Sequence, residues 1–319
     1  MFNIDDIITT QSYKTICDYI YDAEHGLDNI PPTSVVHLAM DHADQFFSRI
    51  KNNGENYIIV SSHSDFGLWE QSKNGPLQDL ERTFQLIKHT QPEIGYTGVS
   101  IPPPINRGRC NLLHKFCCKC YRWTNATFPE IPSNIKKWFI TNNTIGDDSR
   151  LINIPFGILE NRKEYFANID LNTLNKTPII YVNFADYTLE RSIIKKQLLE
   201  LSKGKLKGRV VVEEKEIRFE EYLANIKKYL FVLSLEGNGI DGYRNLESCY
   251  VGSFPILSSI LDNIYRPFCI PYNSNILSTI NDCFNISYRP IDMFEDKSLY
   301  DKFKLSYWKN EVDKARELL

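Results

Sequence analysis

The chain has 319 residues, and 37 Lys plus Arg against 40 Asp plus Glu give a formal net charge of −3. Hydrophobic residues make up 42%, which supports a packed core and excludes a disordered chain. The slightly acidic balance argues against a nucleic-acid binder, which carries a basic excess. No stretch reaches the ~18 apolar residues of a membrane-spanning helix, so a chain with no transmembrane segment is expected, and at this length two domains are the default.

The N-terminal stretch has acids early and no apolar run of signal-peptide type, which predicts a cytoplasmic protein. Apolar positions Ile4, Ile7, Ile8, Ile16, Tyr19 and Ile20 suit a helix over 3–22. Strands are predicted over 34–40 and 56–62, with a helix over 44–50 between them. The run over 56–62 is almost continuously apolar, as in a parallel sheet covered on both faces. A helix over 77–89 and a Pro-rich patch at 101–105 follow. Next come Cys110, Cys117, Cys118 and Cys120, with His114 among them. These offer sulfur and nitrogen for zinc, but not the paired spacing of a zinc site; a reduced, partly buried segment is the plainer reading. Strand-like segments follow at 136–142 and 150–158.

A polar stretch then breaks the pattern. The alternation resumes with strands at 178–184, 208–214, 230–235, 254–258 and 268–272, and helices at 189–204, 219–229 and 242–251. This predicts two Rossmann-like, doubly wound α/β domains facing across a cleft, one over 1–160 and one over 177–295, with a linker over 161–176. One amphipathic helix is expected over 296–319, with Leu299, Phe303, Tyr307, Trp308, Val312, Ala315 and Leu319 on its apolar face. Its polar face mixes both charge signs, which points to packing back across the domains; peripheral contact with a membrane surface is the alternative.

The most informative stretch is 230–259. A buried strand ends at Leu235, the loop EGNGID follows, and a helix begins. Gly237 and Gly239 flank Asn238 and, lacking a Cβ, allow positive φ and close approach to a ligand. Free N–H groups at a helix start attract anions, and Asp241 is the expected N-cap. Arg244 sits in the first turn, with Glu247 three residues on. Arg244 can fork onto phosphates, and Glu247 can accept hydrogen bonds from the vicinal hydroxyls of a ribose. Gly252 is expected to end the helix. The plain alternative is an ordinary strand–turn–helix with an Arg244–Glu247 surface pair of little worth.

The order of strand, Gly237-Asn238-Gly239-Ile240-Asp241, Arg244, Glu247, Gly252 and Pro255-Ile256-Leu257 resembles the donor-binding signature of exostosin-like glycosyltransferases of the GT-B fold. Leu235 and Glu236 stand where many relatives have Pro. The segments 136–143 and 152–162 are similar to that family's approach to the end of its first domain. The segment 179–191 resembles the first strand and loop of its donor domain, with Asn183, Thr188 and Arg191 as polar candidates. The resemblance implies a sugar transfer from a UDP- or GDP-linked donor to a glycan acceptor, inverting and with no metal required. It makes the first domain the acceptor side and the second the nucleotide-sugar side.

An inverting transfer needs a base for the acceptor hydroxyl. His63 and Asp65 follow the carboxyl end of the strand over 56–62, where open sheets place function. Asp65 is the expected base and His63 its substitute or a positioner of the acceptor. Asp41 and Asp44 also follow a strand; a metal-dependent transferase would use two such carboxylates, although Asp44 reads more simply as a helix N-cap. The alternative of another class is a non-catalytic nucleotide- or glycan-binding protein on the same fold.

Overall fold

In a computed structural model of the protein, the residues described are 2–22, 30–62, 130–143, 148–185, 189–237, 240–272, 275–285 and 297–319. The helix expected over 77–89 and the cysteine-bearing segment 110–120 lie outside them. The described residues form two parallel five-stranded sheets and eight α-helices, an α/β architecture consistent with a two-domain Rossmann-like fold.

The first sheet holds β1 (Tyr19–Tyr21), β2 (Ser34–Leu38), β3 (Tyr57–Ser61), β4 (Ile135–Ile140) and β5 (Leu151–Asn153), side by side in chain order. Side chains alternate across it. Val36, Leu38, Ile59, Trp138 and Ile140 face one way and pack with Phe46, Phe47 and Ile50 of α1 (Ala43–Ile50). Val35, Ile58, Val60 and Phe139 face the other way and join the core that continues into the second half of the chain. The described strands never reverse direction across this sheet, so it has no switch point among them.

The N-terminal stretch is not one helix. It forms 3-10 turns at Ile4–Asp6 and Ser12–Ile16 and then β1. The hydroxyl side chains take the backbone bonds a helix would use: Thr9 N–H donates to Ser12 Oγ at 2.8 Å, and Ser12 N–H to Thr9 Oγ1 at 3.1 Å. Ile7 and Thr9 instead pair with Lys304 and Ile158.

The segment joining the sheets, expected as a linker, is built of a 3-10 turn at Glu160–Arg162, α2 (Lys163–Phe166) and a second turn at Leu171–Thr173. Phe166 is fully buried there, against the rings of Phe219 and Tyr250.

The second sheet holds β6 (Thr177–Val182), β7 (Val210–Val212), β8 (Tyr229–Leu233), β9 (Phe254–Ser258) and β10 (Ile270–Tyr272), in the spatial order β10-β9-β8-β6-β7. Its helices are α3 (Leu189–Lys203), α4 (Phe219–Lys228), α5 (Tyr243–Tyr250), α6 (Asp262–Tyr265) and α7 (Ile276–Asn285). The order reverses between β6 and β8, so right-handed crossovers put α3 on one face and α4 and α5 on the other. A crevice for ligands opens outside the carboxyl ends of strands at such a reversal.

The C-terminal stretch is three pieces, not one helix: a 3-10 run at Lys297–Phe303, α8 (Leu305–Ala315) and a turn at Arg316–Leu318. Lys304 is extended, at φ −108 and ψ 139, and breaks the helix where it pairs with Ile7. Trp308, Val312 and Ala315 of α8 are buried as the apolar face required. The helix lies on the N-terminal segment: Ser306 N–H donates to Asp6, and Arg316 grips both oxygens of Asp18 at 2.7 and 2.9 Å. Among the described residues no helix is long and apolar enough to cross a membrane.

Candidate functional site at the sheet reversal

β6 and β8 deliver two loops to the reversal. The β8 loop passes through Ser234, Leu235 and Glu236 to Gly237; the β6 loop begins at Asn183 and leads to α3. Arg191, in the first turn of α3, spans the gap between them. It is buried (9% exposed), and its Nη2 and Nε donate to the carbonyls of Leu235 at 2.6 Å and Glu236 at 2.9 Å. Its guanidinium also lies 5.4 Å from the Phe184 ring centroid. Arg191 therefore shapes the loop and spends donors on protein carbonyls. Gly237 is not among the positive-φ residues; it serves close approach, since a Cβ there would stand 2.9 Å from Arg191 Nη2. Asn183 donates its amide to the Tyr181 hydroxyl at 3.1 Å. Thr188, Asn238 and Gly239 lie outside the described residues, as do His63 and Asp65.

Asp241 is not the N-cap of α5. Gly242 holds that position, with no side-chain cap bond. The Asp241 carboxylate turns inward, is 2% exposed, and accepts from Phe156 N–H (2.9 Å), Gly242 N–H (2.8 Å), the Asn245 amide (2.7 Å) and the Tyr265 hydroxyl (2.8 and 3.0 Å). Its own N–H donates to Asn142 Oδ1 at 2.7 Å. Asn142 follows β4, so the carboxyl edge of the first sheet is tied to the entry of α5. Burial pushes this carboxyl above its ordinary value, against the pull of the hydrogen bonds from Asn245, Phe156, Tyr265 and Gly242.

Glu247 is also buried, at 2% exposed. Its Oε1 accepts from Arg162 Nη1 at 2.8 Å and its Oε2 from the Tyr222 hydroxyl at 2.9 Å. Burial, and after it the charge of Glu247, push the Tyr222 hydroxyl well up, which keeps it a donor. Glu247 is thus not the surface partner of Arg244. Arg244 is half-buried, its Nε is shielded with no hydrogen-bond partner, and its guanidinium stands 5.8 Å from the Tyr222 ring centroid. Among the described residues no carboxylate pairs with it. A shielded donor left unanswered is costly, and here it belongs to a guanidinium that is otherwise half-exposed and open to an anion. Helix α5 ends at Tyr250 with Val251 as its C-cap, and Gly252 just beyond takes φ 68.

Arg162 and Tyr222 carry no motif of their own. Arg162 sits in a polar stretch and Tyr222 on an ordinary amphipathic helix, and each reaches Glu247 only through the fold. The first sheet adds a buried pair at its carboxyl edge, His37 Nε2 and Ser62 Oγ at 3.0 Å, with Trp138 Nε1 donating to Ser61 Oγ at 3.0 Å. Asp41 lies on the turn Met40–His42. Asp44 is exposed in the first turn of α1, whose cap is His42. Among the described residues no three His, Cys, Asp or Glu side chains converge on a metal position.

No protein-family model matches the chain, and no curated protein matches it.

Proposed function

We propose that the crevice between β6 and β8 binds the diphosphate of a nucleotide-sugar and that the protein is a glycosyltransferase of the GT-B type. Arg244 carries this reading: it is a half-buried guanidinium beside the loop at the sheet reversal, and its charge is not answered by Glu247. A diphosphate supplies the anion such a group lacks and leaves as the sugar transfers. The Glu247 carboxylate has lone pairs left beside those used by Arg162 and Tyr222 that suit ribose hydroxyls, but at 2% exposed it meets them only if the side chains covering it shift. Arg191 holds the loop that would face the diphosphate. Asp65, with His63 beside it, is the proposed base, on the acceptor side.

In the proposed reaction the acceptor oxygen forms its bond to the anomeric carbon as the bond to the diphosphate oxygen breaks. The acceptor proton passes to Asp65, and Arg244 takes up the charge that grows on the leaving group. The donor is UDP- or GDP-linked and the acceptor a glycan hydroxyl, with no metal required and a cytoplasmic setting.

A second reading is nucleotide or glycan binding without turnover: Asp241 and Glu247 each accept from protein donors, and the transfer reading depends on Asp65 alone for its base.

A thermal-shift screen against UDP, GDP and their sugar conjugates, with and without Mn²⁺, tests the proposal, because a ligand of the folded state raises its apparent stability. The expected result is a shift with one nucleotide, unaffected by Mn²⁺ and lost in Arg244→Ala. No shift with any nucleotide in folded protein would overturn it. A shift without transfer to any acceptor would favour the binding reading.

A further inference from the structure

We infer that Arg162, on the segment joining the two sheets, keeps the anion site open by holding Glu247 away from Arg244. It is a positioning residue for that site, and the inference rests on the reading of Arg244 as an anion binder.

Arg244 and Glu247 stand three residues apart on α5, a spacing that places them on one helix face and favours an ion pair between them. The structure has a different pairing. Glu247 Oε1 lies 2.8 Å from Arg162 Nη1 and Oε2 lies 2.9 Å from the Tyr222 hydroxyl. Arg162 is itself fixed, its guanidinium 4.2 Å from the Phe219 ring centroid. Two residues before it, Glu160 accepts a hydrogen bond from the Thr9 hydroxyl. The carboxylate charge is therefore neutralised from the joining segment, and one guanidinium charge, that of Arg244, is left over for a ligand. Without Arg162, Glu247 keeps a buried charge with only a hydroxyl to answer it. The cation on its own helix face then becomes its partner, and the open anion site closes into an internal pair.

Isothermal titration with inorganic diphosphate tests this, since that probe has no ribose and reports on the cation alone. Arg162→Gln is expected to weaken diphosphate binding about fivefold. The double variant R162Q/E247Q, which removes the competing carboxylate, is expected to match E247Q to within about twofold. That rescue separates partner exchange from simple damage, which a second substitution would not repair. R162Q binding like the wild type, or a double variant as weak as R162Q, would overturn the inference.

A ligand-free readout keeps the two proposals apart. Exchange of the Arg244 Nε–H with water, followed by NMR, is expected to slow in R162Q and not in R162Q/E247Q. Slowed exchange in a protein whose wild type ignores diphosphate would sink the anion reading and leave the exchange of partners standing. Unchanged exchange in R162Q would sink the inference itself. Should R162Q not fold, R162K, which keeps the charge but loses the planar fork, is expected to move both readouts the same way by less; no movement in either would overturn the inference.

Discussion

Arg191 fills the space that a side chain on Gly237 would need: its Nη2 lies 2.9 Å from the position of a Cβ there. The same nitrogen donates to Leu235 O at 2.6 Å, so the guanidinium cannot swing aside without giving up a buried bond. Gly237→Ala is expected to destabilise the protein by ~1–2 kcal/mol, the scale of one buried hydrogen bond lost. With Arg191 already replaced by alanine, the same substitution should be nearly neutral, because the clash is gone. Thermal unfolding of the four proteins in this cycle checks it. Additive losses would mean that the glycine serves something other than Arg191.

The Asp241 carboxylate joins Phe156, Gly242, Asn245 and Tyr265 in one buried cluster. Asp241→Ala strands several of these donors and is expected to cost at least ~3 kcal/mol. Burial raises this carboxyl above 3.8. Between that ordinary value and the raised one, the folded state binds more protons than the unfolded state. The contribution of Asp241 therefore falls as pH rises through that window. The melting temperature of the wild type minus that of Asp241→Asn should shrink over the same range; a gap that widens would contradict the sign.

Asp18 and Arg316 tie β1 to the turn after α8, with the charged oxygens and nitrogens 2.7 and 2.9 Å apart. The Arg316 guanidinium holds the Asp18 carboxyl below 3.8. Here the unfolded state binds more protons, so the stabilisation is present above that value and is lost as pH falls through the lowered one. Asp18→Asn should speed hydrogen exchange in residues 305–319 at neutral pH, while the same residues of the wild type should loosen only in acid. Unchanged exchange in the variant would show that α8 is held without the Asp18–Arg316 pair.

Lys176, at the start of β6, donates to Ile226 O at 2.7 Å and Ser253 Oγ at 2.6 Å. Burial, followed by the charge of Lys227, pushes its ammonium down from 10.5 to about 7. Between those values the unfolded chain holds the extra proton, so stability should rise as pH climbs from 7 toward 10. Lys176→Met should flatten that rise in a series of urea titrations, and an equally steep rise in the variant would assign the effect elsewhere.

Apart from β1, which falls inside the stretch read as a helix, the strands were legible because most are short apolar runs between turn residues, as in Tyr57–Ser61 and Tyr229–Leu233, where every position is buried. The loop and the helix after β8 were legible for the same local reason. The roles on that helix were not. Asp241 reads as a cap and Glu247 as a ligand or surface partner, because some of the groups that bind them, Asn142, Phe156 and Arg162, lie 85 to 99 residues away in the chain. The N-terminal stretch misled through periodicity. Its isoleucines are spaced for a helix, but Thr9 and Ser12 bond each other's backbone N–H groups, and Ile7, Ile8 and Ile16 are buried from extended and 3-10 segments instead. At the other end of the chain, Lys304 breaks an apparently continuous helix only because Ile7 is there to pair with it.

The most direct measurement is isothermal titration of the nucleoside diphosphate found in the screen into the wild type and Arg244→Ala at equal ionic strength. Saturable binding to the wild type, weakened at least ~10-fold in the variant, is the expected result for loss of a charge-assisted contact to phosphate. Equal affinity in both proteins would mean that Arg244 is not the anion's partner, and the reading of this crevice as a nucleotide-sugar site would fall with it.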